Sequence, residues 1–506
     1  VRDSATVMQR ALLSPVVPVL PDLDIAAGYL VASKDSGAGG DWFDAIASPD
    51  GAVFLVVGDV VGHGVHAAAV MAQLRTALRV HLRTGVGIVA ALSALNDFAV
   101  DVPGAASATV CVARFDPNGG ELEYCTAGHP PPLVVTTGDS AHYLAPSGAG
   151  PLGSGHVFTT AVTQLAYDDV VLLYSDGLIE RPGRELPSST AEVADVAARV
   201  LNETLGFPLD PSQVAVQRLC SQAVEMLVRT SGYSDDITLL AAQRRLRQPD
   251  LHVDLIADRY AEAEVRTHVR AWLGALGADA VSGQLLEHAV TEFVANAVEH
   301  AYPTASPGRL SVTARLGTTG VAHVEVTDSG SWKQPSSSDP SRGRGLAMAQ
   351  ALVRDTTVRG GDTGTTVIAK HRLTRDAHIV TDPTATPAAR RHHHRTTFGI
   401  DIDDDGRMIV SGDVDTGAAS TLDGAIATHG RGGTAPVCID LGAATHLGSA
   451  AVSVLIRSRR RADTHGSGFT LVAPPGTTAH HVLTLVGLTT DGSADDLPLD
   501  RRPGPV

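Results

Sequence analysis

The chain reads as a multidomain protein of mixed α/β and α+β class, and three observations predict this. It has 506 residues, more than one hydrophobic core usually serves. Strand-like apolar runs alternate with alanine-rich helical segments along most of its length. The composition also breaks twice. Residues 1–24 are read as an N-terminal linker or switch helix and 25–246 as a first domain. Residues 251–373 form a second domain, and the Pro/Thr/His-rich stretch 374–396, which lacks hydrophobic period, reads as a flexible linker. Residues 397–492 form a third domain and 493–506 a frayed tail.

Hydrophobic residues make up 43% and charged residues 19%, a balance that suits folded domains rather than disorder. Only 4% of residues are aromatic, so the cores must be packed largely from small side chains. A net charge of −16 argues against general nucleic-acid binding, which needs basic surface. No apolar run approaches a membrane span and no signal peptide is visible. Cys111, Cys125, Cys220 and Cys438 are far apart with no CxxC, so a reducing cytoplasm is expected. The chain opens on Val1, which fits a piece of a longer protein or an alternative start. The run "RRHHHR" reads as a solvated basic patch rather than a metal site.

In the first domain, acids stand at the ends of buried strands. "AVFLVVGDVVGHG" runs into Asp59, "DVVLLYSDGLIE" runs into Asp176, and "GYSDDITLLAAQ" sets Asp235 and Asp236 before an apolar run. "GAGGDWFDAI" adds Asp41 and Asp44. Any one of these acids alone reads as turn chemistry. Carboxylates that converge at one sheet edge repel one another unless cations join them, and hard divalent ions take such oxygen ligands. Two such ions can activate a water for in-line attack on a phosphate.

The stretches "GGDWFD", "GDVVGHG", "AGHPPPL", "LLYSDGLIE" and "SDDITLL", spanning residues 39–240, resemble the PPM (type 2C) serine/threonine phosphatases of the SpoIIE/RsbU-like branch. That resemblance implies an α-β-β-α sandwich and two Mn²⁺ or Mg²⁺ ions. By it Asp59 bridges the metals, the Val60 carbonyl adds a ligand, and Asp176 and Asp235 complete the site. Asp41 is then a ligand or supports one, Asp236 is the alternative beside Asp235, and Asp44 has the weaker claim. His63 reads as a proton donor or a loop holder, and His129 first as a turn residue. The segment "ATVMQRALLSPVVPVLPDLDIAAGY" resembles the helix that joins such phosphatases to an upstream sensor and is expected to switch activity.

In the second domain, "QLLEHAVTEFVANAVEHAY" has helical period, and Glu292, Asn296, Glu299 and His300 share one face. "VEVTDSG", "GRGLAMAQALV" and "GGDTGTTVIAKHRL" follow, with glycines that let backbone approach phosphates. The ordered set, over about residues 255–373, resembles GHKL ATPases with the Bergerat α/β sandwich, most closely the RsbW-like anti-sigma serine kinases. The resemblance implies ATP and Mg²⁺, with Asn296 on the metal and Asp328 on the adenine amino group. It also places Gly330, Gly343 and Gly345 around the nucleotide, Thr365 or Thr366 near base or phosphates, and Glu292 as general base for a serine hydroxyl. Arg342 and Arg344 read equally as phosphate contacts or surface residues.

The third domain alternates strands and helices. It resembles a STAS domain of the anti-sigma-factor antagonist type, an α/β fold, in which the loop commonly reads Asp-Ser-Ser-Gly. Here the loop is Gly448-Ser449-Ala450-Ala451, so Ser449 stands at the phosphoacceptor position or serves as a helix N-cap. The combination implies a partner-switching regulator. The phosphatase would act on a phosphorylated STAS antagonist, its own or a separate one, and the kinase on the STAS serine, with a sigma factor as the regulated partner. The kinase family is often dimeric, which suits a homodimer. The alternatives are an active phosphatase whose other two domains only bind nucleotide and protein, and a phosphatase for an unrelated phosphoprotein. Glu292-dependent ATP turnover separates the first alternative from the kinase reading.

Overall fold

Strands buried on both faces lose the polar–apolar alternation of a half-exposed sheet, and the first domain is built from such strands. The computed structural model describes residues 15–31, 39–138, 140–204, 213–233, 235–301, 308–330, 344–353, 355–361, 364–380, 397–488 and 490. One antiparallel sheet has the order Trp42–Ala47, Val53–Asp59, Thr109–Asp116, Glu121–Ala127 and Ala161–Gln164. The second contains Leu23–Leu30, Ile237–Arg244, Val170–Tyr174, Leu133–Val135 and Ala141–Tyr143. Successive residues serve different layers. Ile25, Ala27 and Tyr29 point into the space between the sheets, whereas Ala26 and Leu30 meet the outer helices. Leu240 and Ala242 likewise face inward while Leu239 and Ala241 face outward. Helices Val65–Arg83 and Ile88–Asp101 cover the first sheet, and Leu186–Leu201 and Ala215–Ser231 cover the second. The result is an α-β-β-α sandwich.

The second domain is one-sided. Its antiparallel sheet runs Leu251–Ile256, Arg309–Leu316, Val321–Asp328, Gly364–Arg372 and Asp355–Gly361. Leu310, Val312, Ala314 and Leu316 alternate inward beneath helices Ala261–Leu276 and Ala280–His300. Gly277 ends the first of these helices in the left-handed region, at φ 65°. Asp279 opens the next by accepting a bond from the Ser282 amide at 2.7 Å. In the third domain, Met408–Val414, Val437–Leu447 and Phe469–Val472 run parallel, with Gly399–Ile402 antiparallel at the edge. Helices Thr416–His429, Ser449–His465 and Thr478–Leu485 complete it. One continuous apolar core runs through the second and third domains.

The expected linker at 374–396 is corrected over its first seven residues. Thr374–Asp376 pairs antiparallel with Val16–Pro18, and His378–Val380 pairs parallel with Leu23–Leu30. Residues 16–18, expected within a switch helix, are therefore strand, and the prolines around them suit a sheet edge better than a helix interior. Three-residue strands are too short to leave a hydrophobic period, which is why composition misread the segment. Residues 1–14, 381–396 and 491–506 lie outside the described residues, and with them the rest of the proposed switch helix, the histidine run and the tail.

Arg375 explains why the chain returns here. It is 1% exposed. It donates to the Ile25 carbonyl at 2.7 Å and to Asp24 at 2.9 Å in the first domain, and to the Gly277 and Leu276 carbonyls at 2.9 and 3.0 Å in the second. Asp24 also pairs with Arg245 at 3.4 Å. Removing one partner of a buried ion pair typically costs about 3–5 kcal/mol because the other charge is stranded. Arg375→Ala is therefore expected to lower the melting temperature and to speed amide hydrogen exchange across residues 374–380. Unchanged melting and exchange would show that water serves these carbonyls and Asp24 equally well.

Candidate functional site

The facing sheets bring the strand ends of the first domain to one edge. Asp59 ends Val53–Asp59, Asp176 follows Val170–Tyr174, Asp235 and Asp236 precede Ile237–Arg244, and Asp41 precedes Trp42–Ala47. Asp41 is buried and accepts from the Thr238 hydroxyl at 2.9 Å. Asp236 is buried and accepts from the Tyr29 hydroxyl at 3.2 Å. Asp235 is exposed and accepts from the Asp236 amide at 2.8 Å. A side chain at Gly40 would overlap the Val60 carbonyl oxygen, so glycine lets these two segments close on each other.

The cluster is electrostatically strained. Burial, and then Asp176, push Asp59 up to about 7. Burial, followed by Glu180 and Asp235, pushes Asp176 up to about 6. Asp41 is held well above the usual carboxylate range by burial, with Asp59 and Asp236 adding to the effect. An all-oxygen set that crowds negative charge in this way fits hard divalent cations. Asp41, Asp59, Asp176, Asp235 and the Val60 carbonyl would hold them, with Asp236 alongside.

Two residues of these motifs do other work. Asp44 is ion-paired with Arg75 and Arg79 on helix Val65–Arg83, so it anchors that helix to the sheet. His129 is a buried cross-link rather than only a turn residue. Its Nε2–H donates to the Tyr174 carbonyl at 3.1 Å and its Nδ1 accepts from the Thr109 hydroxyl at 2.8 Å. Burial pushes it down to about 4, so it stays neutral. Thr109 pairs with Asp59 in the sheet and Tyr174 lies two residues before Asp176, so this imidazole ties two of the acids together. Sequence reading missed that role, as it missed Thr238 and Tyr29. The only signal was a histidine wedged between glycine and prolines. His63 is exposed.

The second domain gathers a different set. Asp328 is buried at the end of Val321–Asp328 and lies opposite Thr365. The Gly330 amide donates to its carboxylate at 2.9 Å. Gly330 rests on Ala301 with no room for a Cβ. The Thr366 hydroxyl meets Thr327 at 3.1 Å. Asn296 lies one turn after Glu292 and its amide donates to the Glu292 carbonyl at 2.6 Å. Gly345 falls in the first turn of helix Arg344–Leu352, while Gly343 and Arg342 lie outside the described residues. A buried acid, a glycine floor and a helix-borne amide suit a nucleotide with its Mg²⁺.

The third domain sits on this same helix. The Ser449 amide donates to Glu292 Oε1 at 2.8 Å. Glu292 is 3% exposed. Burial raises its pKa, while the bonds from Ser449 act the other way. Ser449 is the first residue of helix Ser449–His465, and Gly448, which offers no side-chain cap, is the N-cap. The N-cap reading of Ser449 is thereby corrected: the carboxylate of another domain serves that helix end. Arg266 pairs with Asp415 at 2.8 Å and Asp413 at 3.3 Å, and Thr478 donates to Gln284 at 2.5 Å.

The comparisons agree with this division. The family of Stage II sporulation protein E (SpoIIE) matches residues 49–245, the histidine kinase-like ATPase domain 256–371, and the Mlab STAS domain 399–497. The phosphoserine phosphatase RsbU of Bacillus subtilis (strain 168) is 24% identical over 256 residues, 48% of this chain and 70% of its own. The crystal structure of the RsbU and RsbW domains of Rv1364c from Mycobacterium tuberculosis is 49% identical, with a TM-score of 0.66. It covers 73% of this chain and 98% of that one. Among the described residues no helix is long and apolar enough to cross a membrane. The chain belongs to the family of fused RsbU–RsbW proteins, joining a SpoIIE-type PPM serine phosphatase domain to an RsbW-like ATPase domain and, after it, a STAS domain.

Proposed function

We propose that the chain writes and erases a phosphate on a STAS serine, with Ser449 its own acceptor, and so controls a sigma factor by partner switching. The observation that carries this reading is the Ser449 backbone amide donating to Glu292 Oε1 at 2.8 Å across a domain boundary, which seats that serine beside the carboxylate. Glu292 is nearly dry and its pKa is raised, which suits a general base. In the reaction the Ser449 hydroxyl attacks the γ-phosphoryl group of ATP, its proton passes to Glu292, and ADP leaves. The product is a phosphate at a helix N-terminus, where the helix favours its charge. The same phosphate faces the Glu292 carboxylate, which repels it. Phosphorylation would therefore free the ATPase domain surface for the sigma factor, and dephosphorylation would let the STAS domain return.

The acid edge of the first domain suits the erasing step. Two Mn²⁺ or Mg²⁺ ions held by Asp41, Asp59, Asp176, Asp235 and Val60 would supply an activated water and neutralise phosphate charge. Thr238 and Tyr29 orient the acids, and His129 fixes the strands that carry Asp59 and Asp176. The substrate is then phospho-Ser449 or the matching serine of a separate STAS protein.

The deciding experiment uses chain carrying Asp59→Asn, so that phosphate once added stays. After incubation with ATP and Mg²⁺, one added phosphate mapped to Ser449 is expected, and it should be absent when Glu292→Ala is also present. Bound ATP with no phosphate would instead make the ATPase and STAS domains binding modules and direct the phosphatase to another protein.

Metal binding should also be linked to pH. The metal-free site keeps protons on Asp59 and Asp176 up to about 7 and about 6, and a cation must displace them. Calorimetric titration with Mn²⁺ in buffers of differing ionisation enthalpy is expected to show proton release at pH 6 that fades by pH 8.5. Apparent affinity should fall as pH drops from 8.5 through 6, where first Asp59 and then Asp176 take up protons. A pH-independent affinity would contradict the assignment of these two acids.

A further inference from the structure

One turn before Glu292, the same helix carries His288, and the STAS strand Val437–Leu447 carries His446 two residues before Gly448. The two imidazole rings lie 4.2 Å apart, centre to centre, tilted by 32°. His288 and His446 are each 2% exposed and Glu292 is 3% exposed. Among the described residues neither nitrogen of His288 has a hydrogen-bond partner, and neither does Nε2 of His446. Leaving such groups buried and unpaired is costly, and apolar residues of similar size would avoid that cost.

One ligand atom from each of His288, Glu292 and His446 lies within 4.8 Å of the others. Small side-chain adjustments would let one ion with bonds of about 2.0–2.2 Å reach all three. Gly448 keeps the space beside them open: a Cβ there would sit 3.5 Å from both Glu292 Oε1 and His446 Nε2. An Asp at this position, common in the family, would drive a second carboxylate into that space.

We propose that His288, Glu292 and His446 form a site for a borderline transition-metal ion, Zn²⁺ above all, that bridges the ATPase and STAS domains. Two imidazoles and one carboxylate are a donor set of the kind zinc takes, with a fourth position left for water. Burial pushes His288 down to about 3 and His446 well below its usual range, so both rings are neutral, the form that ligates. Arg266, the nearby cation, is already paired with Asp413 and Asp415. The ion would clamp the two domains and occupy the Glu292 carboxylate. Its further effect, a brake on phosphorylation of Ser449, rests on the kinase reading; the site itself does not.

The test uses full chain carrying Asp59→Asn and Asp235→Asn, stripped by chelation, so that the phosphatase edge does not compete. Titration with Co²⁺ is expected to give one equivalent with the intense visible absorption of a low-coordinate nitrogen–oxygen site, displaced by one equivalent of Zn²⁺. An all-oxygen octahedral site does not give this band. His288→Gln, His446→Gln and the isosteric Glu292→Gln should each abolish the band and weaken Zn²⁺ by more than about tenfold. Absence of the band in the parent chain overturns the proposal whether or not a variant folds. Retention of band and affinity in the folded Glu292→Gln chain overturns it as well. Neither outcome depends on whether Ser449 is phosphorylated, so failure of this site and failure of the kinase reading are distinguishable.

Discussion

A carboxylate almost without access to water, Glu292, governs how the second and third domains meet. A buried charge must find donors, and Glu292 finds one in the first amide of a helix from the other domain. That helix end has no side-chain cap of its own, so the need is mutual. Around the contact, Arg266 is answered by Asp413 and Asp415, and Arg270 by Glu287 at 2.6 Å. The apolar core continues beneath, from Val290 and Val294 to Val452 and Leu455. The same dryness that forces this pairing raises the carboxyl pKa.

The first domain uses charge in the opposite way. Its acids are crowded where two sheets end, with donors such as Thr238 and Tyr29 that orient them without neutralising them. Burial and this crowding raise the pKa values of Asp41, Asp59 and Asp176. Elsewhere in the same domain acids are answered in the ordinary manner, as Asp44 is by Arg75 and Arg79. The contrast sets an arginine-paired carboxylate, Asp44, beside one crowded by other acids, Asp41, within a single short stretch, "GGDWFD".

Arg375 joins the two halves of this arrangement. It lies just past the ATPase sheet, yet two of its four hydrogen bonds reach the phosphatase sheet. Phosphatase and ATPase domains are thus held by buried hydrogen bonds as well as by the chain between them.

The sequence by itself determined a good deal. Apolar runs ending in Asp59 and Asp176 read as strands buried on both faces, because only such strands lack alternation. The helical period of residues 284–300 placed Glu292 and Asn296 on one face. The order of motifs named the three families, which the comparisons bear out. What it could not decide were the contacts made between distant segments. The strand at 374–376 is three residues long and is held by Arg375, whose partners stand some 350 residues earlier and 98 residues earlier. His129 looked like a turn because its two partners come from other strands. His288 and His446 drew no notice in the sequence, and Gly448 stood out only because the family commonly has Asp there. Periodicity reports the surroundings of a residue along its own element. It carries no information about which polar atom of another domain will face it, and only tertiary packing settled that.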